Sequence, residues 1–237
     1  MSPLVIAHRG ASAAHPENTL AAFAGASALG ADWVELDVRL TADGVAAVHH
    51  DADLPDGRTV STVAVADLPE SVPTLAAALG VCRQHDLGVN VEIKSDPRTA
   101  DFDPTYRIVA VTLGALGSDE AGAEVPRPDG TDRYLVTSFD PGCLDAVRQG
   151  SSLPTGQLAF EIRDTSILLA RAAAAGHEAI NPWDPFVDAS FVDAAHAAGL
   201  RVFPWTVDDP GRMRALIDLG VDGIITNVPD VLRATVG

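Results

Sequence analysis

Short apolar runs alternate with amphipathic segments along most of this chain of 237 residues. Runs of about four to eight residues rich in Val, Ile and Leu are typical of buried strands, and apolar residues at helical spacing are typical of helices that cover a core. The pattern predicts eight strands: Leu4–Ala7, Trp33–Val38, Val89–Lys94, Tyr134–Phe139, Thr155–Phe160, Glu178–Asn181, Arg201–Val207 and Asp222–Thr226. It also predicts eight helices: Asn18–Leu29, Thr74–Asp86, Pro104–Leu116, Pro141–Arg148, Ser166–Ala175, Ala189–Ala198, Gly211–Leu219 and Pro229–Thr235.

Eight strand–helix units in a chain of this length match a closed (β/α)8 TIM barrel, a fold of the α/β class. A doubly wound open sheet is the alternative. Its edge strands would lie roughly 34 Å apart, at about 4.8 Å per strand, so that polar strand ends near the two chain termini could not share a site. The barrel is favoured because closure brings the first and last strands together, and because the chain has no dinucleotide-binding glycine motif. We expect a single domain over residues 1–237.

One pair of strands breaks the parallel pattern. Six residues separate the second predicted strand from the apolar run that begins at Val45, which is too short for a parallel crossover. The turn residues Thr41–Gly44 therefore predict an antiparallel hairpin. A turn centred on its second and third residues places His50 opposite Glu35, whereas a turn one residue later places His50 opposite Asp37. In either register the hairpin returns an imidazole to a carboxylate.

Four apolar stretches in the first 96 residues run directly into charged or imidazole side chains. A buried strand has no structural reason to end in this way, and active sites of barrels open at the carboxyl ends of their strands. The pattern predicts one site with carboxylates gathered for a cation and histidines beside it for proton transfer. The polar segments concerned are His8-Arg9-Gly10, Glu35-Leu36-Asp37-Val38, His49-His50-Asp51 and Glu92-Ile93-Lys94.

Three carboxylates converge in this prediction. Glu35 and Asp37 are two apart on a strand and so point the same way, and Glu92 ends the next parallel strand. An all-oxygen ligand set is suited to Mg²⁺ or Ca²⁺, and the lack of paired cysteines or a His-x-His motif disfavours zinc. The alternative is that one or two of the three form structural salt bridges with arginines.

Two histidines, His8 and His50, come from different elements near this centre. Two imidazoles can divide the roles of general base and general acid, although a histidine taken alone is more often structural. His49 should lie on the other face of the hairpin. Phe139 and Trp205 fall at or near strand ends and are candidates for walls of the substrate pocket, with simple packing as the alternative.

Two cations belong to the same predicted site. Arg9 follows His8, and Lys94 is the single lysine among 16 basic residues. Both are suited to the non-bridging oxygens of a phosphate, and a compact ammonium differs from a planar guanidinium in the space it needs. The alternative is that each neutralises a neighbouring carboxylate. Asn18 or Thr19 is expected to be the N-cap of the first predicted helix.

The motifs, taken in order along nearly the whole chain, resemble those of the glycerophosphodiester phosphodiesterase family. They are His8-Arg9-Gly10, Glu17-Asn18-Thr19, Glu35-Leu36-Asp37-Val38, Thr41–Gly44, His50-Asp51, Glu92-Ile93-Lys94, Ser138-Phe139, Trp205-Thr206-Val207 and Asp222–Asn227.

The resemblance implies a metal-dependent barrel enzyme that cleaves a small-molecule glycerophosphodiester to glycerol 3-phosphate and an alcohol. By position, Glu35, Asp37 and Glu92 would hold one divalent cation, Mg²⁺ or Ca²⁺. His8 and His50 would be the acid–base pair, and the two cations of the site would hold the phosphate. In the mechanism proposed for such enzymes, the glycerol hydroxyl beside the phosphate attacks phosphorus, and water then opens the cyclic phosphate.

The sequence departs from the family in one respect. Many members carry a small inserted domain after the His-Asp motif, which here is reduced to residues 52–71. Since that region commonly shapes the alcohol side of the pocket, substrate preference stays open. Three alternative functions are an enzyme acting on lysophospholipids, a barrel that binds phosphodiesters without cleaving them, and an amidohydrolase-type barrel. The last is disfavoured because its first strand would carry His-x-His.

Composition limits the partners. A net charge of −17 argues against nucleic acid and against stable docking on anionic membranes, and no apolar run approaches the roughly 20 residues of a membrane helix. Cys82 and Cys143 are expected to be buried and unpaired, which favours the cytoplasm. Residues 118–132 lack periodicity and are expected to form an exposed loop away from the site. Whether the chain forms a homo-oligomer stays open.

Overall fold

Strands and helices alternate along the chain in the computed structural model, which describes residues 2–99, 101–122 and 133–237. The strands of the described residues are β1 (Leu4–His8), β2 (Trp33–Leu40), β3 (Ala46–Val48), β4 (Gly88–Ile93), β5 (Tyr134–Ser138), β6 (Thr155–Ala159), β7 (Ala179–Pro182), β8 (Arg201–Val202) and β9 (Gly223–Thr226). The helices are α1 (Leu20–Ala28), α2 (Leu75–Gln84), α3 (Arg107–Gly122), α4 (Pro141–Gly150), α5 (Thr165–Ala174), α6 (Ala189–Ala197), α7 (Pro210–Leu219) and α8 (Pro229–Val236).

Eight of the described strands form a parallel barrel in the order β8-β7-β6-β5-β4-β2-β1-β9. Backbone hydrogen bonds close it between β8 and β9: the N–H of Asp222 donates to the carbonyl of Val202 over 3.1 Å, and that of Ile225 to Pro204 over 3.0 Å. The predicted TIM barrel is confirmed. Each of these eight parallel strands therefore has its carboxyl end at the same mouth of the barrel.

The antiparallel hairpin is confirmed, but both predicted registers are wrong. Val38 pairs with Val48, and the N–H of His49 donates to the carbonyl of Asp37 over 3.0 Å, so that His49 rather than His50 stands opposite Asp37. The turn has three residues instead of two, because Gly44 adopts a left-handed φ of 81° and adds one position to the connection.

Two other predicted elements differ from those observed. Helix α3 continues to Gly122, so residues 118–122 are helical rather than part of a loop, and residues 123–132 of the predicted loop lie outside the described residues. Strand β8 ends at Val202, well before the predicted Val207. The residue two positions later, Pro204, has no N–H with which to extend the ladder.

The short segment 52–71 packs on the outer side of the hairpin. It contains two 3-10 turns, Val60–Thr62 and Val65–Asp67, and its Leu54 and Val63 are buried together with Ala47 of β3. The segment thereby covers β3, whose backbone pairs with β2 on one side and with Pro73 and Thr74 on the other.

Two further sequence expectations concern the helices. Cys82 in α2 and Cys143 in α4 are buried and unpaired, as expected. Among the described residues, no helix combines the length and the apolar character that crossing a membrane requires.

Candidate active site

A cluster of three carboxylates lies at the mouth of the barrel. Asp37 on β2 stands directly opposite Glu92 on β4, and Glu35 lies two residues earlier on the same face of β2. One oxygen from each of the three lies within 4.8 Å of the others, and all three side chains are buried. The predicted convergence of these residues is therefore present in the fold.

Two cations touch the acid cluster. The Nζ of Lys94 lies 2.5 Å from Oε1 of Glu92 and 2.9 Å from Oδ1 of Asp37. The Nε of Arg9 lies 3.2 Å from Oδ2 of Asp37. Both cations thus pair with carboxylates, which is the alternative that the sequence left open, and both also line the cavity described below.

The electrostatics of the cluster favour an added cation. Burial, together with the charges of Asp37 and Glu92, raises the pKa of Glu35 well above its ordinary value. Burial also raises the pKa of Glu92. Although burial opposes ionisation of Asp37, Lys94 and Arg9 hold the pKa of that carboxyl below its usual range. Three carboxylates against two cations leave an excess of negative charge, and this donor set fits a divalent cation with oxygen preference.

The loop after β1 holds the cluster from one side through two residues in left-handed backbone conformation, Arg9 (φ 55°) and Asn18 (φ 57°). The backbone N–H of Arg9 donates to Oε2 of Glu35 over 3.0 Å, and Nδ2 of Asn18 donates to Oδ2 of Asp37 over 2.8 Å. Such strain persists where surrounding contacts fix it, commonly at functional sites. Of the two N-cap candidates, Thr19 caps α1, so the reading of Asn18 as a cap is wrong.

The orientation of His8 is fixed from the opposite end of the chain. Its Nδ1 lies 2.7 Å from Oδ1 of Asn227, whose own Nδ2 donates to Oδ2 of Asp208 over 2.7 Å. Because that amide N–H2 is committed to a carboxylate, Oδ1 of Asn227 must accept, and Nδ1 of His8 carries the proton. The lone pair of Nε2 is then left on the side of Glu35, 4.0 Å from Oε2.

The second imidazole, His50, is held by two contacts. Its Nδ1 lies 2.7 Å from Oδ1 of Asp51, and its backbone carbonyl accepts from Nε of Arg39 over 2.8 Å. The guanidinium of Arg39 is buried and pairs with Asp101. Burial, followed by the charge of Lys94, lowers the pKa of His50. Burial, followed by the charge of Arg9, likewise lowers the pKa of His8.

These side chains surround one cavity of about 210 Å³ at the barrel mouth. Asp37, the remaining predicted ligand, lies beneath the cavity with 1% of its surface exposed. His49 is directed elsewhere, with its Nε2 3.3 Å from the carbonyl of Asp53. The predicted site residues that line the cavity are His8, Arg9, Glu35, His50, Glu92, Lys94, Phe139 and Trp205.

Asn227→Ala should lower kcat by roughly 10–100-fold with little change in KM, because it frees His8 to rotate and to change tautomer. Steady-state kinetics measure the loss, and ¹⁵N shifts of the imidazole should change from a pure Nδ1–H form to a mixture. Ser12→Ala is the matched control, since it removes another hydrogen bond to Oδ1 of Asn227 and leaves the bond between Asn227 and His8 in place. An unchanged kcat, or an effect on KM alone, would refute this positioning role.

The fold and the site together define a class of protein: a TIM barrel with carboxylates, imidazoles and cations around one small cavity at its mouth. Residues 8–231 match the model of the glycerophosphoryl diester phosphodiesterase family. The chain belongs to this family.

Individual relatives agree over nearly the full length. The chain is 31% identical to the glycerophosphodiester phosphodiesterase of Caldanaerobacter subterraneus subsp. tengcongensis, covering 98% of this chain and 97% of that protein. A phosphodiesterase of Oleispira antarctica, solved in complex with the product sn-glycerol-3-phosphate, superposes with a TM-score of 0.85 at 25% identity, over 99% and 96% of the two chains. The glycerophosphodiester phosphodiesterase of Thermotoga maritima gives a TM-score of 0.77 at 25% identity, covering 98% of this chain and 97% of that chain.

Proposed function

We propose that this chain, as one domain, hydrolyses glycerophosphodiesters to glycerol 3-phosphate and an alcohol, with a divalent cation and two histidines. The observation that carries the proposal is the shared cavity, in which a buried carboxylate cluster, two oriented imidazoles and two cations meet within one small volume. Family membership and the product complex of the Oleispira antarctica relative support the same substrate class.

Glu35, Asp37 and Glu92 are the residues that would hold the cation, Mg²⁺ or Ca²⁺. When bound, such a cation supplies positive charge that polarises a phosphoryl oxygen and lowers the pKa of a coordinated hydroxyl. Arg9 and Lys94 would bind the non-bridging oxygens of the phosphate, since each lines the cavity while it is anchored on Asp37.

Proton transfer is assigned to His8 and His50. In the first step the glycerol hydroxyl beside the phosphate attacks phosphorus, one imidazole takes its proton, and the other protonates the departing alcohol oxygen. In the second step water opens the cyclic phosphate and the two imidazoles exchange roles. Asn227 binds the ring of His8 and Asp51 binds the ring of His50, while Arg39 binds the backbone carbonyl of His50, so that neither imidazole has to be ordered during the reaction.

The net charge and the two cysteines indicate which partners are disfavoured and in which compartment the enzyme acts. An acidic surface with net charge −17 disfavours nucleic acid and stable membrane association. Two free, buried cysteines are typical of a reducing compartment, so we place the enzyme in the cytoplasm. Phe139 and Trp205 are proposed as walls of the substrate pocket.

Removal of divalent cations with EDTA should lower the turnover of glycerophosphocholine by roughly 10²-fold or more, and Mg²⁺ or Ca²⁺ should restore it. Release of glycerol 3-phosphate is the measurement. Full activity in EDTA would contradict the proposed metal requirement. A lack of turnover under all conditions would contradict the proposed activity itself.

A matched pair of variants connects this result to the acid cluster. Glu35→Gln should raise the Tm of the metal-free protein, because it removes a charge that its neighbours oppose, and should weaken the Tm increase caused by added metal. Glu161→Gln changes an exposed carboxylate that pairs with Arg163 outside the cluster, and should leave the response to metal intact.

A further inference from the structure

The guanidinium of Arg39 joins two segments of the molecule that are far apart in sequence. Arg39 lies on β2 two residues after Asp37, on the same face of the strand. Its Nε donates to the backbone carbonyl of His50 over 2.8 Å, and its Nη1 forms an ion pair with Oδ2 of Asp101. Both charged side chains are buried, with 10% and 9% of their surface exposed. One buried cation therefore contacts both the segment that carries His50 and the segment that carries Asp101.

Arg39 ties the segment of His50 to the barrel. The hairpin ladder ends one residue earlier, where the N–H of His49 donates to the carbonyl of Asp37. Asp51, which binds the ring of His50, is its neighbour in the chain and has a side chain that is 75% exposed, so it turns with His50 and does not fix it to the barrel. Among the described residues, the backbone of these two residues makes no hydrogen bond other than the one from Arg39.

The connection between β4 and α3 supplies Asp101 and is anchored independently of the hairpin. Near its two ends, Oγ of Ser95 and the hydroxyl of Tyr106 donate to Oδ2 of Asp140, over 2.8 Å and 3.1 Å. Asp140 is itself fixed, because its Oδ1 accepts from the N–H of Gly142 at the N-terminus of α4. The carboxylate of Asp101 is therefore presented to Arg39 by a segment that α4 holds in place.

Neither member of the ion pair can be removed without cost. Oδ1 of Asp101 is buried and has no hydrogen-bond partner in the part of the chain that the structure describes, so this carboxylate depends on Arg39 for compensation of its charge. Removing one member of a buried ion pair leaves the other as an uncompensated charge. Without Asp101, the guanidinium is expected to turn towards water, and its Nε then leaves the carbonyl of His50.

We propose that Asp101 and Arg39 form a positioning pair for proton transfer by His50: Asp101 holds the guanidinium, and the guanidinium holds the backbone from which the imidazole reaches the cavity. This proposal rests on the proposed function. It gives Asp101, which does not line the catalytic cavity, an effect on the rate of the reaction. Loss of the pair slows proton transfer and leaves substrate binding intact.

Asp101→Ala should lower kcat for glycerophosphocholine by roughly 10–100-fold, since a displacement of about 1 Å in a reacting group can cost about 10²-fold. KM should change little, because the phosphate is assigned to other residues. Asp101→Glu keeps the charge and should retain most of the activity. Asp96→Ala is the matched control and should keep near wild-type kcat, because Asp96 is a carboxylate of the same connection whose partner, Arg98, is exposed.

A double-mutant cycle tests whether Asp101 acts through His50. In the His50→Ala background, Asp101→Ala should lower kcat by less than about twofold, because the imidazole that it positions is already absent. Adding Asp101→Ala to Arg39→Ala should likewise cost little, since both changes break the same pair. An equal factor with and without His50 would place the effect of Asp101 elsewhere and overturn the proposal.

Two further measurements do not depend on turnover. In protein labelled with ¹³C at Cε1 of histidine, Asp101→Ala should shift or broaden the NMR signal of His50 and leave that of His8 in place. The increase in Tm caused by added Mg²⁺ or Ca²⁺ should be retained, because the acid cluster is unchanged. Loss of this increase would show that the variant disturbs the acid cluster, and the positioning role would be wrong.

The outcomes separate this proposal from the one on which it rests. Wild-type kcat in Asp101→Ala, with glycerophosphocholine still cleaved, would overturn the positioning role and leave the proposed function standing. A rise in KM alone would make the ion pair an anchor for the substrate pocket and would overturn it as well. If wild type cleaves no glycerophosphodiester, the proposed function fails and the role in proton transfer fails with it, whereas an unchanged His50 signal would separately refute the tie between Asp101 and this segment.

Discussion

Replacing either His8 or His50 with alanine should lower kcat for glycerophosphocholine by roughly 10²–10⁴-fold, the range expected when a general acid or base is removed. Attack by a hydroxyl and departure of an alcohol each require a proton to move, and each of the two imidazoles lines the cavity with its Nδ1 held by a partner side chain. KM should change little, because the phosphate is assigned to other residues. The measurement is steady-state release of glycerol 3-phosphate.

His49→Ala provides the matched control for this pair. It changes a histidine of the same hairpin, adjacent in sequence to His50, whose imidazole faces the backbone of Asp53 instead of the cavity. It should keep near wild-type kcat. Wild-type turnover in His8→Ala or His50→Ala would remove that histidine from the mechanism.

The barrel and the acid cluster could be predicted because their signals are local. Glu35 and Asp37 near the carboxyl end of a buried strand indicate, within a few residues, both the position of the site and its chemistry. Because alternate residues of a strand share a face, the two side chains point the same way. Glu92 repeats the pattern on the next parallel strand. Parallel order then brings all three together without knowledge of any distant contact.

The hairpin register could not be predicted because it depends on one backbone angle. A left-handed Gly44 adds a third residue to the turn, and the shift of one position exchanges the faces of His49 and His50 relative to the predicted pairing. His50 nevertheless reaches the cavity, since Arg39 binds its carbonyl where the chain leaves the strand. The residue types of the turn are compatible with a connection of two residues or of three.

Two asparagines that position site side chains could not be assigned from sequence, because their contacts are remote along the chain. Asn227 reaches His8 across the closure of the barrel, 219 positions away, and lies in a segment that looks like an ordinary strand end followed by a helix start. Asparagine is common at helix N-caps and Asn18 precedes a helix, yet its side-chain amide donates to the carboxylate of Asp37. Local pattern favours the cap in such a case, and only the fold shows the partner.

Lys94→Ala should lower kcat/KM by roughly 10²–10³-fold, the loss typical of removing one charged or hydrogen-bonding group that stabilises a transition state. Its ammonium pairs with Glu92 and Asp37. Although burial opposes the charge, these two carboxylates raise the pKa of Lys94 above its ordinary value, so it is charged throughout the neutral range. An ammonium has three N–H donors, and two carboxylates leave one for a ligand in the cavity.

Lys94→Arg tests the shape of this group at constant charge. A guanidinium is larger than an ammonium and its donors lie in one plane, so it does not reproduce the tetrahedral arrangement in which one nitrogen faces Glu92 at 2.5 Å, Asp37 at 2.9 Å and a ligand in the cavity. We therefore expect a loss of at least about tenfold in kcat/KM. Arg98→Ala is the control, because Arg98 is an exposed cation of the same segment that pairs with Asp96. An arginine variant with wild-type kinetics would contradict the requirement for a compact charge, and recovery of Lys94→Ala at high Mg²⁺ would assign Lys94 to the metal site instead of the phosphate.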